Sequence, residues 1–163
     1  MDVAHRLAAR VGEALNRQGL VLTAAESCTG GWVAQMITSV PGSSAWFDRG
    51  FVTYSNASKQ ELLGVSADTI ARQGAVSEAV VCEMAEGALR ASGAQLAVAI
   101  SGIAGPEGGS RDKPVGTVCL GWAREGRPTI CRTTHYAGDR HMVREQAMMA
   151  SLHGILDLLE QVD

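Results

Sequence analysis

A serine, a tyrosine and a lysine that could act together lie within one stretch of the sequence, residues 41–59. Ser44 lies in a turn, and Tyr54 and Lys59 follow a short strand-like run, five residues apart. A lysine that has lost its proton can activate a serine hydroxyl, so these side chains could replace a Ser-His-Asp triad. The stretch is therefore compatible with acyl transfer through a serine. The same pattern also fits a hairpin loop followed by a helix that carries a solvated lysine.

The predicted position of the lysine favours the chemical interpretation. Ser55 or Asn56 is typical of the N-cap of a short helix that runs to about Leu63, with Gly64 just beyond its end. Lys59 then lies in the first turn, where the helix dipole disfavours an ammonium group. Together with burial, the dipole would lower the lysine pKa from about 10.4 towards the range of a general base.

Three loops rich in glycine, serine or threonine follow apolar segments, at residues 26–31, 101–110 and 138–140. The first opens a helix and would suit an anion, although a plain strand-to-helix turn explains it as well. The second follows the clearest buried strand, and loops at the carboxyl ends of sheet strands bind ligands in open α/β folds. The third places Arg140 in the first turn of a helix, where it could bind a phosphate or could simply be a surface arginine.

Other catalytic chemistries find less support in the sequence. A nucleophilic Cys28 would need a nearby histidine, and all four histidines are distant in sequence. No HExxH motif and no usefully spaced pair of carboxylates occurs, so we expect neither a metal nor a cofactor. The four cysteines form no CxxC motif and are predicted to be reduced thiols.

Composition bounds the class of protein. The chain has 163 residues, of which 46% are apolar and 19% charged, as in a folded globular domain rather than a disordered chain. Its net charge of −3 and scattered basic residues argue against a nucleic-acid surface. No apolar run approaches the roughly 20 residues of a transmembrane helix, and no signal-peptide layout is present, so we expect a cytoplasmic location.

The elements predicted by hydrophobic period give a single mixed α/β domain over residues 1–163, with helices on both faces of a partly parallel sheet. The predicted strands are residues 20–25, 50–54 and 95–100, followed by a hairpin of residues 115–123 and 129–136. The main predicted helices begin near Val3, Trp32, Asn56, Ser77 and Asp139, and the last carries apolar residues at helical intervals as far as Val162.

Five motifs closely resemble the CinA carboxy-terminal domain family: Thr23–Gly31, Gly42–Phe47, Gly50–Asn56, Gly74–Glu78 and Ser101–Pro106. The resemblance covers nearly the whole chain and implies a three-layer α/β/α sandwich with a mixed sheet. Stand-alone bacterial members of the family are nicotinamide-nucleotide amidases. The resemblance thus implies hydrolysis of nicotinamide mononucleotide (NMN) to nicotinate mononucleotide and ammonia, as part of pyridine nucleotide salvage.

The resemblance also implies roles for individual residues. Ser44 matches the nucleophile, with Lys59 and Tyr54 as its activating partners. Acyl transfer itself requires an oxyanion hole, for which backbone N–H groups of residues 42–44 or of the loop after residue 100 are candidates. Arg140, preferred over Arg144, would hold the substrate phosphate. The remaining expected pocket positions are Ser27, Thr29, Gly30, Gly31, Ser101, Gly102 and Gly105.

The expected partner is the small-molecule substrate alone, with no nucleic acid and no membrane, and we expect a homo-oligomer, namely a dimer. The alternative is a nucleotide-binding or regulatory module of the competence- and damage-inducible type, which would keep the pocket without the catalysis. A thiol hydrolase that uses Cys28 is a third possibility.

Overall fold

The computed structural model describes residues 2–161, so the predicted apolar position Val162 lies outside the described residues. Within this range the chain forms a five-stranded sheet flanked by helices. None of the described helices is both long and apolar enough to cross a membrane. The elements are α1 (Val3–Gln18), β1 (Leu22–Glu26), α2 (Trp32–Thr38), a 3-10 turn (Ser43–Ala45), β2 (Phe47–Val52), α3 (Asn56–Leu63), α4 (Ala67–Gln73), α5 (Glu78–Ala91), β3 (Leu96–Gly102), β4 (Thr117–Arg124), β5 (Ile130–His135) and α6 (Arg140–Glu160).

The sheet is mixed, in the order β2-β1-β3-β4-β5. Strand β1 pairs in parallel with both β2 and β3, whereas β4 and β5 are antiparallel and form the predicted hairpin. The carboxyl ends of β2, β1 and β3 therefore meet at one edge of the sheet. Loops that leave this edge are brought together although they are distant in sequence.

Helices cover both faces of the sheet, which confirms the three-layer α/β/α fold. One apolar cluster joins α1, α2 and α6 to the first face, where Leu22 and Ala24 of β1 point. A second cluster joins α3 and α5 to the opposite face, where Ala25 points. Because successive side chains of a strand point to opposite faces, β1 contributes to both clusters.

The ends of α3 follow the sequence signals. Ser55 is the N-cap, and its hydroxyl accepts a hydrogen bond from the Ser58 N–H at 3.0 Å. Gly64 ends the helix with φ 68°, a left-handed conformation that glycine adopts without steric cost. Lys59 therefore lies on a short helix, as predicted.

The prediction of four reduced cysteines is wrong. Cys82 of α5 and Cys131 of β5 form a disulfide, with 6.2 Å between their Cα atoms and a sequence separation of 49. No spacing motif indicates this bond, because it depends on α5 packing across the last strand. Cys28 and Cys119 are free and buried.

Candidate active site

The site is built around the most voluminous fully buried side chain among the described residues, that of Lys59, which is only 1% exposed. Its Nζ lies 3.0 Å from Ser27 Oγ, 2.8 Å from the Thr53 carbonyl oxygen and 3.2 Å from the Tyr54 carbonyl oxygen. An ammonium group can donate to all three oxygens. A neutral amine can donate its two hydrogens to the two carbonyls, which leaves its lone pair facing the serine hydroxyl.

Burial lowers the pKa of Lys59, because removal from water disfavours the charged form, and only the nearby Cys28 opposes the change. Among residues 2–161, no carboxylate raises the pKa of this lysine. Lys59 can therefore act as a base at a lower pH than an ordinary lysine.

Ser27 follows directly after β1, at the carboxyl edge of the sheet. Its N–H donates to the Ile100 carbonyl at 3.0 Å, which continues the pairing of β1 with β3. Ser27 is 7% exposed, so its side chain is largely shielded from solvent. A cleft of about 260 Å³ opens there, lined by Ser27, Lys59, Tyr54, Ser101, Gly102 and Arg140, among others.

Ser101 and Gly102, at the end of β3, form one wall of the cleft. Ser101 is 1% exposed, and its hydroxyl donates to the Ala75 carbonyl at 2.8 Å, which fixes the loop before α5. A Cβ atom on Gly102 would lie 2.8 Å from Val118 Cγ2 and 3.0 Å from Cys28 Sγ. A larger residue at this position would have to displace the Val118 side chain and press on Cys28.

Tyr54 and Arg140 form the rim of the cleft. The Tyr54 side chain is exposed, and the Arg140 Nη2 group lies 3.4 Å from its hydroxyl. The Nη1 group of Arg140 donates to the Gly105 carbonyl at 2.8 Å. A guanidinium has five N–H donors, so these two contacts leave others for an anionic group of a ligand.

The predicted binding residues Thr29, Gly30 and Gly31 do not line this cleft. Together with Arg144 they line a second cleft of about 330 Å³. The Arg144 guanidinium donates to the Cys28 carbonyl at 3.0 Å and to the Thr29 carbonyl at 3.2 Å. The structure thus places Arg140 in the cleft of Lys59, whereas Arg144 braces the loop that carries Ser27.

Sequence reasoning overlooked Glu26, the residue before Ser27. Its carboxylate is fully buried and accepts hydrogen bonds from the Thr29 hydroxyl at 2.6 Å, the Val33 N–H at 2.9 Å and the Ala34 N–H at 3.0 Å. These bonds offset the desolvation of the charge, and they occupy N–H groups in the first turn of α2 that were expected to bind an anion of the substrate. The available signal was a carboxylate that ends a run of small, otherwise uncharged residues.

The structure does not bring Ser44 together with Lys59 and Tyr54. Ser44 is exposed in the 3-10 turn before β2, where the Trp46 carbonyl accepts from the Leu22 N–H at 2.8 Å. This is the amino edge of the parallel strands. The six residues of β2, at about 3.3 Å each, separate Ser44 from the opposite edge by roughly 20 Å.

Backbone N–H groups of the 3-10 turn already donate hydrogen bonds within the turn. The Ser43 N–H donates to the Val40 carbonyl at 3.2 Å and the Ala45 N–H to the Gly42 carbonyl at 3.1 Å. These two N–H groups close the turn itself and lie at the same distant edge. The oxyanion hole expected from residues 42–44 has no counterpart in the cleft of Lys59.

Cys28 lines the cleft but is a poor nucleophile. Burial raises the pKa of its thiol to about 12. The thiolate, which is the reactive form, is therefore scarce at neutral pH. Within residues 2–161, no three histidine, cysteine, aspartate or glutamate side chains are grouped so that they could hold a metal ion.

Comparison with known proteins agrees with this architecture. Residues 4–159 match the family model described as the CinA C-terminal domain. The nicotinamide-nucleotide amidohydrolase PncC of Enterobacter agglomerans is 56% identical over 152 residues, which cover 93% of each chain. The protein of the same name from Pseudomonas putida is 52% identical over 158 residues, 97% of this chain and 98% of that one. The crystal structure of the competence/damage inducible protein CihA from Agrobacterium tumefaciens has a TM-score of 0.94 and 41% identity, and covers 99% of this chain and 98% of its own.

Proposed function

The chain belongs to the CinA C-terminal domain family, and from this premise we propose that it is an amidohydrolase that converts NMN and water to nicotinate mononucleotide and ammonia. The names of its close relatives support the substrate. The observation that carries the chemistry is the 3.0 Å contact between the buried Lys59 amine and the Ser27 hydroxyl, at the base of an open cleft. The product, a nicotinate nucleotide, suits a role in pyridine nucleotide salvage.

We assign the nucleophile to Ser27 in place of Ser44. Ser27 is the hydroxyl within hydrogen-bond reach of the lysine amine, as a nucleophile and its base must be. The hydroxyl of Ser101 is turned to a backbone carbonyl, and Ser44 is at the opposite edge of the sheet. The serine and lysine chemistry expected from the sequence is kept, with a different serine.

The proposed reaction passes through an acyl-enzyme. Ser27 Oγ attacks the carboxamide carbon while Lys59 Nζ takes the hydroxyl proton, and the resulting ammonium then gives that proton to the departing nitrogen. Ammonia leaves, and an ester joins Ser27 to the nicotinoyl group. Water attacks the ester with Lys59 again as the base, which releases the carboxylate and restores the serine. The cationic pyridinium of the substrate makes the attacked carbon more electrophilic.

The rim residues suit the rest of the substrate. Arg140 offers N–H donors to the phosphate at the mouth of the cleft, which is the role expected of it, whereas Glu26 already occupies N–H groups at the start of α2. Tyr54 offers an exposed aromatic ring beside the arginine, to which a cationic pyridinium or a ribose can pack. The hydroxyl of Tyr54 contacts Arg140, so we assign this tyrosine to binding rather than to proton transfer.

Ammonia release from NMN by the purified chain tests the proposal. The coupled detection of ammonia is combined with mass detection of nicotinate mononucleotide, with free nicotinamide and nicotinamide riboside as comparison substrates. We expect turnover of NMN and weaker turnover of both comparison compounds, because they lack the phosphate that Arg140 would bind. A regulatory module would bind NMN, as measured by calorimetry, and would release no ammonia.

A further inference from the structure

Glu26 holds a position that the reaction scheme does not use. It ends β1, precedes Ser27, and is 0% exposed. Its side chain points to the face of the sheet that carries α2, whereas the Ser27 side chain points to the opposite face, towards Lys59 on α3. The two neighbouring side chains are thus held by different layers of the protein.

The Glu26 carboxylate accepts hydrogen bonds from both ends of the segment between Ser27 and the first turn of α2. One oxygen, Oε1, accepts from the Thr29 hydroxyl at 2.6 Å and from the Val33 N–H at 2.9 Å. The other, Oε2, accepts from the Ala34 N–H at 3.0 Å. Since Gly31, the N-cap residue of α2, has no side chain to cap the helix, Glu26 provides that cap from the preceding strand.

The main chain of the same segment is fixed at two further points. The Glu26 carbonyl accepts a hydrogen bond from the Thr53 N–H at 2.8 Å, and the carbonyl of the same Thr53 accepts from the Lys59 amine. The Ser27 N–H donates to the Ile100 carbonyl. Arg144 holds the turn from its outer side through the Cys28 and Thr29 carbonyls. On the inner side of the turn, the buried Glu26 carboxylate accepts hydrogen bonds from three donors.

We propose that Glu26 is a positioning residue that fixes the Ser27 hydroxyl against the Lys59 amine through its hydrogen bonds to Thr29 and to the first turn of α2. The proposal rests on the amidase function proposed above. Glutamine at this position would keep the shape of the side chain, but its NH₂ group would face a hydrogen-bond donor. The turn would shift, and Ser27 with it, while Lys59 and the rim residues would stay in place.

The test compares steady-state kinetics of Glu26→Gln with those of the parent chain, with NMN as substrate. A displacement of about 1 Å in a reacting group lowers turnover about 100-fold, so we expect a loss of that order in kcat. KM should stay within about threefold, because Glu26 does not touch the cleft. The pH at which the rate rises should also be unchanged, because the surroundings of Lys59 are intact. Since a loss of folded enzyme would also lower the apparent kcat without a change in KM, kcat is calculated on the concentration of folded protein, measured by circular dichroism.

Two variants of Thr29, Thr29→Val and Thr29→Ser, test the same hydrogen bonds more mildly, because they keep the Glu26 carboxylate. The valine variant removes one donor and should lose roughly tenfold in kcat, whereas the serine variant keeps the hydroxyl and should restore most of it. Thr23→Val is the matched control. It removes a partly buried hydrogen bond of the same strand, from the Thr23 hydroxyl to the Arg49 carbonyl at 2.7 Å, and should leave kcat unchanged.

A folded Glu26→Gln variant with parental kcat would overturn the inference. If that variant does not fold, the Thr29 variants decide, and a Thr29→Val variant as active as Thr23→Val overturns the inference equally. A parent chain that releases no ammonia would instead refute the proposed function, so the two failures are distinguishable.

Discussion

Lys59 Nζ lies 3.0 Å from Ser27 Oγ, although 32 residues separate the two in sequence and they belong to different elements of the fold. The contact forms because β1 and β2 are parallel neighbours, so that the loop after β1 and the helix after β2 begin at the same edge of the sheet. Two backbone carbonyls hold the amine in place, and burial favours its neutral form. A buried lysine thus meets a serine in the geometry that nucleophilic catalysis requires.

The role of Lys59 as a base can be separated from a role as a fixed positive charge. Arginine keeps the charge but cannot give up its proton in the working pH range, so Lys59→Arg should be nearly as inactive as Lys59→Met. Loss of a general base lowers the rate by roughly 100-fold or more. Ammonia release from NMN measures both variants. An arginine variant with close to parental turnover would contradict the base assignment and leave the amidase function standing.

The lowered pKa of Lys59 also predicts how stability depends on pH. In the unfolded chain the lysine titrates near 10.4, whereas in the folded protein its pKa is lower. Between the two values the unfolded chain binds more protons, so the contribution of Lys59 to the free energy of unfolding rises with pH across that window. Below the folded-state pKa the full penalty for burying the charge is present.

Urea unfolding of the parent chain and of Lys59→Met at several alkaline pH values measures this contribution. The free energy of unfolding of the parent minus that of the variant should increase as pH rises towards 10. The subtraction isolates the contribution of Lys59, because the other titrating groups are the same in both chains. A constant difference would mean that the lysine titrates alike in the two states.

Cys28 should be dispensable for the chemistry. Burial holds the pKa of its thiol at about 12, so it remains protonated at neutral pH, and Cys28→Ala should keep most of the parental turnover in the ammonia assay. Truncation of a buried side chain should lower the melting temperature slightly. A folded Cys28→Ala variant that is inactive would favour the thiol hydrolase over the serine mechanism.

The disulfide between Cys82 and Cys131 predicts the number of free thiols. Titration with a thiol reagent in guanidinium chloride, without a reductant, should detect two thiols per chain, those of Cys28 and Cys119. Reduction should raise the count to four and lower the melting temperature, because a crosslink that spans 49 residues restricts the unfolded chain. Four thiols before reduction would contradict the pairing.

Local signals in the sequence were sufficient for the elements that carry the site. The cap at Ser55 and the stop at Gly64 defined α3, and thereby placed Lys59 on a short helix. The apolar run before residue 101 identified β3, and the glycine-rich segment after it was correctly expected at the carboxyl edge of the sheet. These features depend on neighbouring residues only.

The contacts that complete the site are not local. Ser44 is closer than Ser27 to Lys59 in sequence, but β2 runs between them as an extended strand and carries the turn to the opposite edge. Ser27 comes close only through the pairing of β1 with β2. Glu26 likewise meets its partners only after α2 has packed against the sheet, so its sequence neighbours give no measure of its burial.

A comparison of Ser27→Ala with Ser44→Ala in the ammonia-release assay on NMN decides whether Ser27 is the nucleophile. Both changes remove one hydroxyl from a loop, so each serves as the control for the other. We expect Ser27→Ala to lose several orders of magnitude in kcat, roughly 10⁴-fold or more, and Ser44→Ala to stay within about threefold of the parent. A nearly inactive, folded Ser44→Ala beside an active Ser27→Ala would contradict the assignment of Ser27.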